Sequence, residues 1–351
     1  MEERKIKEYR LERQSTEDGK ESFYLVKDVR VKNLKGKVTK YIGSKEPNPE
    51  ELNRLRIEHS SDLEIKAIEK KTELAKSAFI DDRMLPEKRS TLIEVTEGLR
   101  FLCETFSQHL TTSEVEWYTN SMEIQYVNGT TSIEGNTLSF DQTRSLLNDN
   151  IMPENKSLRE VNEVQNFRKV RIYRIKHKGK VDLNFIKGLH SRIVDNIDLE
   201  SAGEFRRTDL VAINGCEFQL APSILIESEL EEALDVYYTK IEDGHSPFIE
   251  AVAFHHTFER IHPFTDGNGR TGREIFNYML EKEGYPRLLF FGKDRDQYIS
   301  ALKSGDNGNF DDMVISFSQL MINQRKKIIE ENIERVLNPS LKKGQTRLND
   351  F

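Results

Sequence analysis

The sequence predicts a mainly α-helical protein with a small β region near its N-terminus. Three observations carry this. Apolar residues recur at steps of three and four through most of the chain, the spacing of amphipathic helices. Residues 23–31, FYLVKDVRV, concentrate β-branched and aromatic side chains instead. Charged residues make up 32% and hydrophobic residues 36%, a balance that suits a largely helical protein with well-solvated faces. A length of 351 residues predicts two or three domains at roughly 150 residues each, ample for a sizeable core. The 53 Lys+Arg against 60 Asp+Glu leave a net charge of −7, which argues against a general nucleic-acid or anionic-membrane binder. No run approaches the length needed to span a bilayer, so no membrane association is expected. The opening MEERKIKEYRLERQ lacks the apolar core of a signal peptide. Cys103 and Cys216 form no metal-ligand pattern, and reduced thiols in a cytoplasm are the simpler expectation.

Taken in order, residues 23–31, the turn signal Asn33-Leu34-Lys35-Gly36 and the run KVTKYIG after it predict a hairpin. Lys27, Arg30, Lys32, Lys35, Lys37 and Lys40 against Asp28 make that ribbon locally basic. It lacks the aromatic stacking set of a nucleic-acid surface, so nucleic acid is unlikely as a partner and a solvated sheet face is the plainer reading. Pro47-Asn48-Pro49 opens a helix, with helical character over 50–76. Leu92, Val95, Leu99 and Leu102 mark a helix over 87–107, and others are expected over 113–132, 140–147, 157–177, 184–194, 224–242 and 311–337. Two short alternating runs around Asn214-Gly215 predict a second hairpin, because a type I′ turn needs positive φ twice. A lone hairpin is marginal in water, and its exposed edge could accept an extended peptide as an extra strand.

The chemistry concentrates in residues 249–284. Ala251, Phe254, Phe258 and Ile261 share one helical face, and the helix must stop near His262 because Pro263 disfavours helical geometry before it. Ile275, Phe276, Met279 and Leu280 define a second helix, ended by Gly284. Between them, Gly267-Asn268-Gly269 leads into a helix N-terminus, where successive backbone N–H groups form an anion nest. Arg270 and Arg273 lie on that first turn, where cations are normally disfavoured, so an anion belongs there. Asp266 is a hard oxygen ligand suited to Mg²⁺ bridging phosphate oxygens. His262 at the rim can take a proton near neutral pH. Phe264 is expected to point into the core and pin the loop. No P-loop or kinase signature occurs. A rival reading puts a metal on His255, Glu259 and His262, at i, i+4 and i+7, but leaves the arginine pair and the glycine nest without a role.

The run His262-Pro263-Phe264-Thr265-Asp266-Gly267-Asn268-Gly269-Arg270-Thr271-Gly272-Arg273 resembles the HPFx(D/E)GNGRxxR signature of Fic (Fic/Doc) domain proteins, and matches it throughout. The resemblance extends over about residues 85–300, through LHSRIV at Leu189, AGEFR at Ala202 and the hairpin at Asn214-Gly215. It does not reach residues 1–80. It implies a Fic-type helical bundle with a β-hairpin flap, and transfer of AMP from ATP to a Ser, Thr or Tyr hydroxyl of protein substrates and of the protein itself. His262 would be the general base and Asp266 would hold Mg²⁺. Phe264, Gly267, Asn268, Gly269, Arg270 and Arg273 would line the nucleotide, with Asn277 and Tyr298 near the nucleoside. Ala212, Ile213, Asn214, Gly215, Cys216, Glu217 and Phe218 would form the target-binding flap.

Thr130-Thr131-Ser132-Ile133-Glu134-Gly135-Asn136 is the second informative stretch. Gly135 reads as a helix C-cap, which puts the Glu134 carboxylate at the helix's negative end, where it needs a cation from elsewhere. The stretch resembles the (S/T)xxxE(G/N) motif of the same family, in the subclass with an N-terminal inhibitory helix. That implies a Glu134 pairing with Arg273 that denies the γ-phosphate its partner. The expected organisation is a hairpin and charged-helix region over 1–84, a helical region with the inhibitory motif over 85–175, a catalytic domain over 176–340 and a tail over 341–351. Self-association through helical faces is compatible with it, as a homodimer. The alternatives are a de-AMPylating or bifunctional enzyme, or a non-catalytic docking module.

Overall fold

A computed structural model describes residues 9–210 and 220–337, with side chains through residue 324. The chain divides into two compact units. Among the described residues, one comprises those up to 80, 85–111 and those from 325 on; the other comprises 81–84 and those between 112 and 324.

In the first unit, strands β1 (Arg10–Ser15), β2 (Glu21–Val31) and β3 (Leu34–Gly43) form an antiparallel sheet in that order. The expected hairpin is β2–β3, but Val31 pairs with Leu34 and Lys32 has φ 50°, so the turn is Lys32-Asn33 rather than residues 33–36. β1 was not expected. Its residues are exposed or half-buried and show no apolar alternation; it is held by main-chain pairing from Arg10–Val26 to Ser15–Glu21. Helices α1 (Pro49–Glu58) and α2 (Ser60–Ala78) divide the charged stretch at His59, and the Asn48 side chain caps α1 by accepting from the Glu51 N–H. Helix α3 (Pro86–His109) follows in the same unit. Leu25, Val29 and Val38 of the sheet pack against Leu63 and Ala67 of α2. The Glu64 carboxylate enters this core, accepting from Tyr9 Oη and Lys27 Nζ at 2.5 Å each. Lys37 and Lys40 each face a carboxylate at 2.9 Å, Glu12 and Asp62, so much of the ribbon's positive charge is answered within the unit.

In the second unit, α4 (Thr112–Ser132), α5 (Phe140–Asp149), α6 (Leu158–Lys176), α7 (Leu183–Ile193), α8 (Ile226–Glu242), α9 (Pro247–Ile261) and α10 (Asn268–Lys282) surround one core, with α11 (Arg295–Asp306) and the part of α12 (Phe310–Leu337) up to residue 324. Ser139 with Gln142 and Ser157 with Glu160 form reciprocal capping boxes that start α5 and α6. α11 went unread in the sequence, because only Tyr298 and Ala301 of its twelve residues are buried. The central helix is α10, which packs on α4, α7 and α9 and is buried from Arg270 to Leu280. Charged residues inside it are neutralised rather than solvated. Arg174 of α6 donates to Glu123 of α4 and to Glu274 of α10, both at 2.8 Å, and Arg287 donates to Glu274 at 2.6 Å. Ala212, Ile213, Asn214, Gly215, Cys216, Glu217 and Phe218, the expected flap, lie outside the described residues. No helix among the described residues is long and apolar enough to cross a membrane.

Arg174 links three helices at a site only 7% exposed. Removing it leaves two buried carboxylates short of a cation. Arg174→Ala should lower the stability of this unit by about 3–5 kcal/mol in chemical denaturation. A loss below about 1 kcal/mol, the range of an exposed ion pair, would show that the network does not hold the helices.

Candidate active site

The site is built on the reversal between α9 and α10. α9 ends at Ile261, and His262 takes the left-handed conformation (φ 49°, ψ 62°), uncommon for a residue with a side chain. Pro263 follows, and Gly267 turns left-handed again (φ 76°) as the N-cap of α10. Three buried side chains hold the loop. Asn268 imitates a strand partner: its Oδ1 accepts from the Phe264 N–H at 2.8 Å and its Nδ2 donates to the Phe264 carbonyl at 2.7 Å. Arg206 donates to the carbonyls of Ile261 (3.2 Å) and His262 (2.9 Å), capping the negative end of α9. His190 of α7 accepts from the Gly203 N–H through Nδ1, which leaves Nε2 to donate to the Asp266 carbonyl, each at 3.0 Å. Its ring stacks on fully buried Phe264 at 3.6 Å between centroids.

His262 is thereby fixed at the rim. Burial pushes its imidazole down to about 4, so it is neutral at pH 7. The first N–H groups of α10 have no intrahelical acceptors and face the same side of the turn. A Cβ at Gly269 would collide with Glu134 Oε1, so only glycine lets that carboxylate lie against the nest. The Arg270 guanidinium is 3% exposed; its Nη2 donates to Asp266, its Nη1 faces the Glu163 carboxylate at 3.4 Å, and its Nε makes no hydrogen bond. A buried guanidinium with an unpaired N–H beside a helix N-terminus fits an anionic ligand. Asp266 stays partly exposed. Burial acts to raise its pKa, but Arg270, the Gly267 N–H and Arg159 hold it below the ordinary carboxylate range. An ionised, accessible carboxylate is the hard oxygen donor that Mg²⁺ takes.

Arg273, fully buried, is gripped by α4. Its Nε donates to Thr130 Oγ1 and its Nη2 to the Thr130 carbonyl, both at 3.0 Å, and Nη2 donates to Glu134 Oε1 at 2.7 Å. Burial acts to raise the Glu134 carboxyl, but Arg273 and Arg270 hold it below its ordinary value. The sequence-chosen residues His262, Phe264, Asp266, Gly267, Asn268, Gly269, Arg270, Arg273 and Glu134 thus meet at one end of α10. Asn277 and Tyr298 lie deeper. Asn277 spends its amide on the main chain of Arg273 and Leu288. Tyr298 Oη pairs with His255 Nε2 at 3.0 Å, and its ring stands 5.8 Å from the Arg273 guanidinium.

His255, Glu259 and His262 do not bring three ligand atoms together. Among the described residues that arrangement occurs at Asp81, His245 and Glu250, where the Arg83 guanidinium already pairs with both carboxylates. Four residues of the site escaped sequence reasoning: His190, Arg206, Arg159 and Glu163. The first two lie in segments, LHSRIV and AGEFR, that were noticed only as wholes; the last two gave no signal beyond a charged helix face.

Comparison with known proteins accords with this geometry. Residues 180–280 match the model of the Fic/DOC family. Protein adenylyltransferase fic-1 of Caenorhabditis briggsae is 31% identical over 190 residues, 52% of this chain and 37% of that protein. Protein adenylyltransferase Fic of Drosophila mojavensis is 31% identical over 233 residues, 65% of this chain and 44% of that protein. The chain therefore spans about two fifths of the length of these curated relatives. A solved structure of Fic-1 from C. elegans superposes with a TM-score of 0.59 at 22% identity, over 83% of this chain and 85% of that one. A Fic-domain protein from Bacteroides thetaiotaomicron gives 0.57 at 21%, over 71% and 99%. Both share its fold.

Two measurements check the site as described. The His262 imidazole should titrate near pH 4 by NMR; a midpoint near the ordinary 6.5 would mean that it is solvated and not held in the reversal. Because the folded value is depressed, neutral His262 favours the fold above pH 6.5, and this contribution fades as pH falls through 4. His190→Ala should cost about 3 kcal/mol, since it deletes the stack on Phe264 and strands the Gly203 N–H and the Asp266 carbonyl. His190→Phe should recover the stacking share alone.

Proposed function

We propose that this Fic/DOC-domain protein transfers AMP from ATP to hydroxyl side chains of proteins, itself included, and is held back by Glu134. The observation that carries the reading is the convergence on one turn of a neutral imidazole, an ionised Asp266, free helix N–H groups and two buried guanidiniums. The names of the curated relatives support the same activity. His262 is positioned to accept the proton of a Ser, Thr or Tyr hydroxyl as that oxygen forms its bond to the α-phosphorus. Pyrophosphate leaves in line, with its charge met by the α10 N-terminus and Arg270. Mg²⁺ held by Asp266 would neutralise charge on the α- and β-phosphates. Phe264 keeps the loop in shape from beneath, and Arg273 is the partner available to a γ-phosphate. Residues 212–218 are proposed to align the target chain, and Asn277 and Tyr298 to support the nucleoside end from below.

The brake rests on charge. A γ-phosphate and the Glu134 carboxylate are both anions, and one buried Arg273 cannot serve both. While Glu134 holds Arg273 at 2.7 Å, ATP would bind without its γ-phosphate anchored. We further propose a cytoplasmic setting, which fits two cysteines in no pairing pattern. The organisation read from the sequence, a catalytic region over 176–340 preceded by an inhibitory helical region over 85–175, is proposed with it.

The test uses wild type, Glu134→Gly and Glu134→Gly/His262→Ala with ATP labelled at the α or the γ position. Glu134→Gly should raise α-label on the protein and its targets by at least about tenfold, the loss of roughly 1.4 kcal/mol of restraint. The double variant should be blank, and γ-label should not transfer. Equal labelling by wild type and Glu134→Gly would remove the brake; γ-label transfer would replace AMP by phosphate.

A further inference from the structure

Asp266 can take a cation only in competition with the groups that already bond its oxygens. Its Oδ2 accepts from Arg159 Nη2 of α6 at 2.6 Å, and its Oδ1 accepts from the Gly267 N–H at 2.6 Å and Arg270 Nη2 at 3.1 Å. Arg270 belongs to the loop itself. Arg159 reaches it from 107 residues away and comes from an exposed helix start, with 59% of its side chain accessible. A second carboxylate stands beside it. Arg159 Nε donates to Glu163 Oε1 at 3.3 Å, one helical turn on, so the guanidinium already spans two acceptors. Glu163 is nearly buried and lies 3.4 Å from Arg270 Nη1. Its other oxygen accepts from Asn136 Nδ2 at 2.9 Å, in the segment that carries Glu134.

We propose that Arg159 is a positioning residue for Asp266 that sets the protein's affinity for the divalent cation. The inference rests on the nucleotide-site reading above and extends it to a residue outside the loop. With no cation, Arg159 neutralises Asp266 and orients Oδ2. A divalent cation arriving with nucleotide phosphates competes for the same oxygen. Arg159 then yields Asp266 and keeps Glu163, whose position is fixed by Asn136. An exchange between two fixed carboxylates costs less than sending the guanidinium into solvent, so the cation is admitted but opposed. The contact also links the metal end of the site to the turn after α4, because Glu163 touches both.

The test measures the coupling between Mg²⁺ and nucleotide, as the ratio of dissociation constants for a non-hydrolysable ATP analogue in EDTA and in Mg²⁺. It uses calorimetry on the full chain, so it reads binding and not turnover. Arg159→Ala should raise this ratio by about threefold, the worth of one partly exposed ion pair. Arg159→Glu should raise it further by offering a second carboxylate, and Arg159→Lys should stay near wild type. A purely structural role would lower affinity in both conditions and leave the ratio unchanged. An unchanged or smaller ratio in Arg159→Ala, with thermal unfolding like wild type, overturns the proposal. Asp266→Ala serves as the reference. If it abolishes the coupling while Arg159→Ala does nothing, the Arg159 inference alone fails. If Asp266→Ala keeps the coupling, the magnesium reading of the loop fails and the inference falls with it.

Discussion

Everything at the candidate site depends on one strained reversal. His262 sits in a left-handed conformation that costs a residue with a Cβ of order 1–2 kcal/mol, and it persists only because the surroundings over-determine it. Asn268 closes the loop from within, Arg206 caps the carbonyls that α9 leaves open, and His190 ties down the Asp266 carbonyl. All three are buried, and Arg206 and His190 reach the loop from other segments. The strain has a geometric return. A helix that continued through residue 262 would carry the imidazole away from the N-terminus of α10, and the amides, Asp266 and His262 would face no common point.

The second organising force is the cost of burying charge. Arg273 lies inside the protein, and a buried guanidinium without an anion is unfavourable by several kcal/mol. The protein meets that cost with two groups of Thr130, in the last turn of α4, and with Glu134 just beyond it. An anion supplied from outside can meet it equally well, and this is what makes the pairing a control point in the proposed mechanism. The contrast with Arg174 is instructive. That guanidinium is shared between two buried carboxylates of α4 and α10, with Glu281 a third at 3.7 Å, and it works as a fastener.

The helices and the reactive loop were legible in the sequence for a common reason: their signals are local. Steps of three and four located most of the second unit, and Pro263, the glycines and the paired arginines marked the reversal within twelve residues. Where the periodic signal was thin, reading failed. β1 has polar residues on both faces because it is an edge, and α11 buries only Tyr298 and Ala301. The turn after β2 was placed late because Asn-Leu-Lys-Gly looks more like a turn than Lys32-Asn33, yet pairing of Val31 with Leu34 set the register.

By itself, the sequence determined the chemistry carried by residues 262–273, since neighbours in the chain are neighbours in space whatever the rest does. It also supplied the lone carboxylate of Glu134 at a helix end, and there the family resemblance, not any spacing or charge pattern, named Arg273 as the cation to meet it. The tertiary structure decided the partners: Arg273 for Glu134, 139 residues apart; Arg159 for Asp266, 107 apart; Arg206 for the His262 carbonyl, 56 apart. Such contacts are products of how α4, α6 and α7 pack around α10. No spacing rule spans those distances, because helix packing, not chain connectivity, brings the side chains within hydrogen-bonding reach.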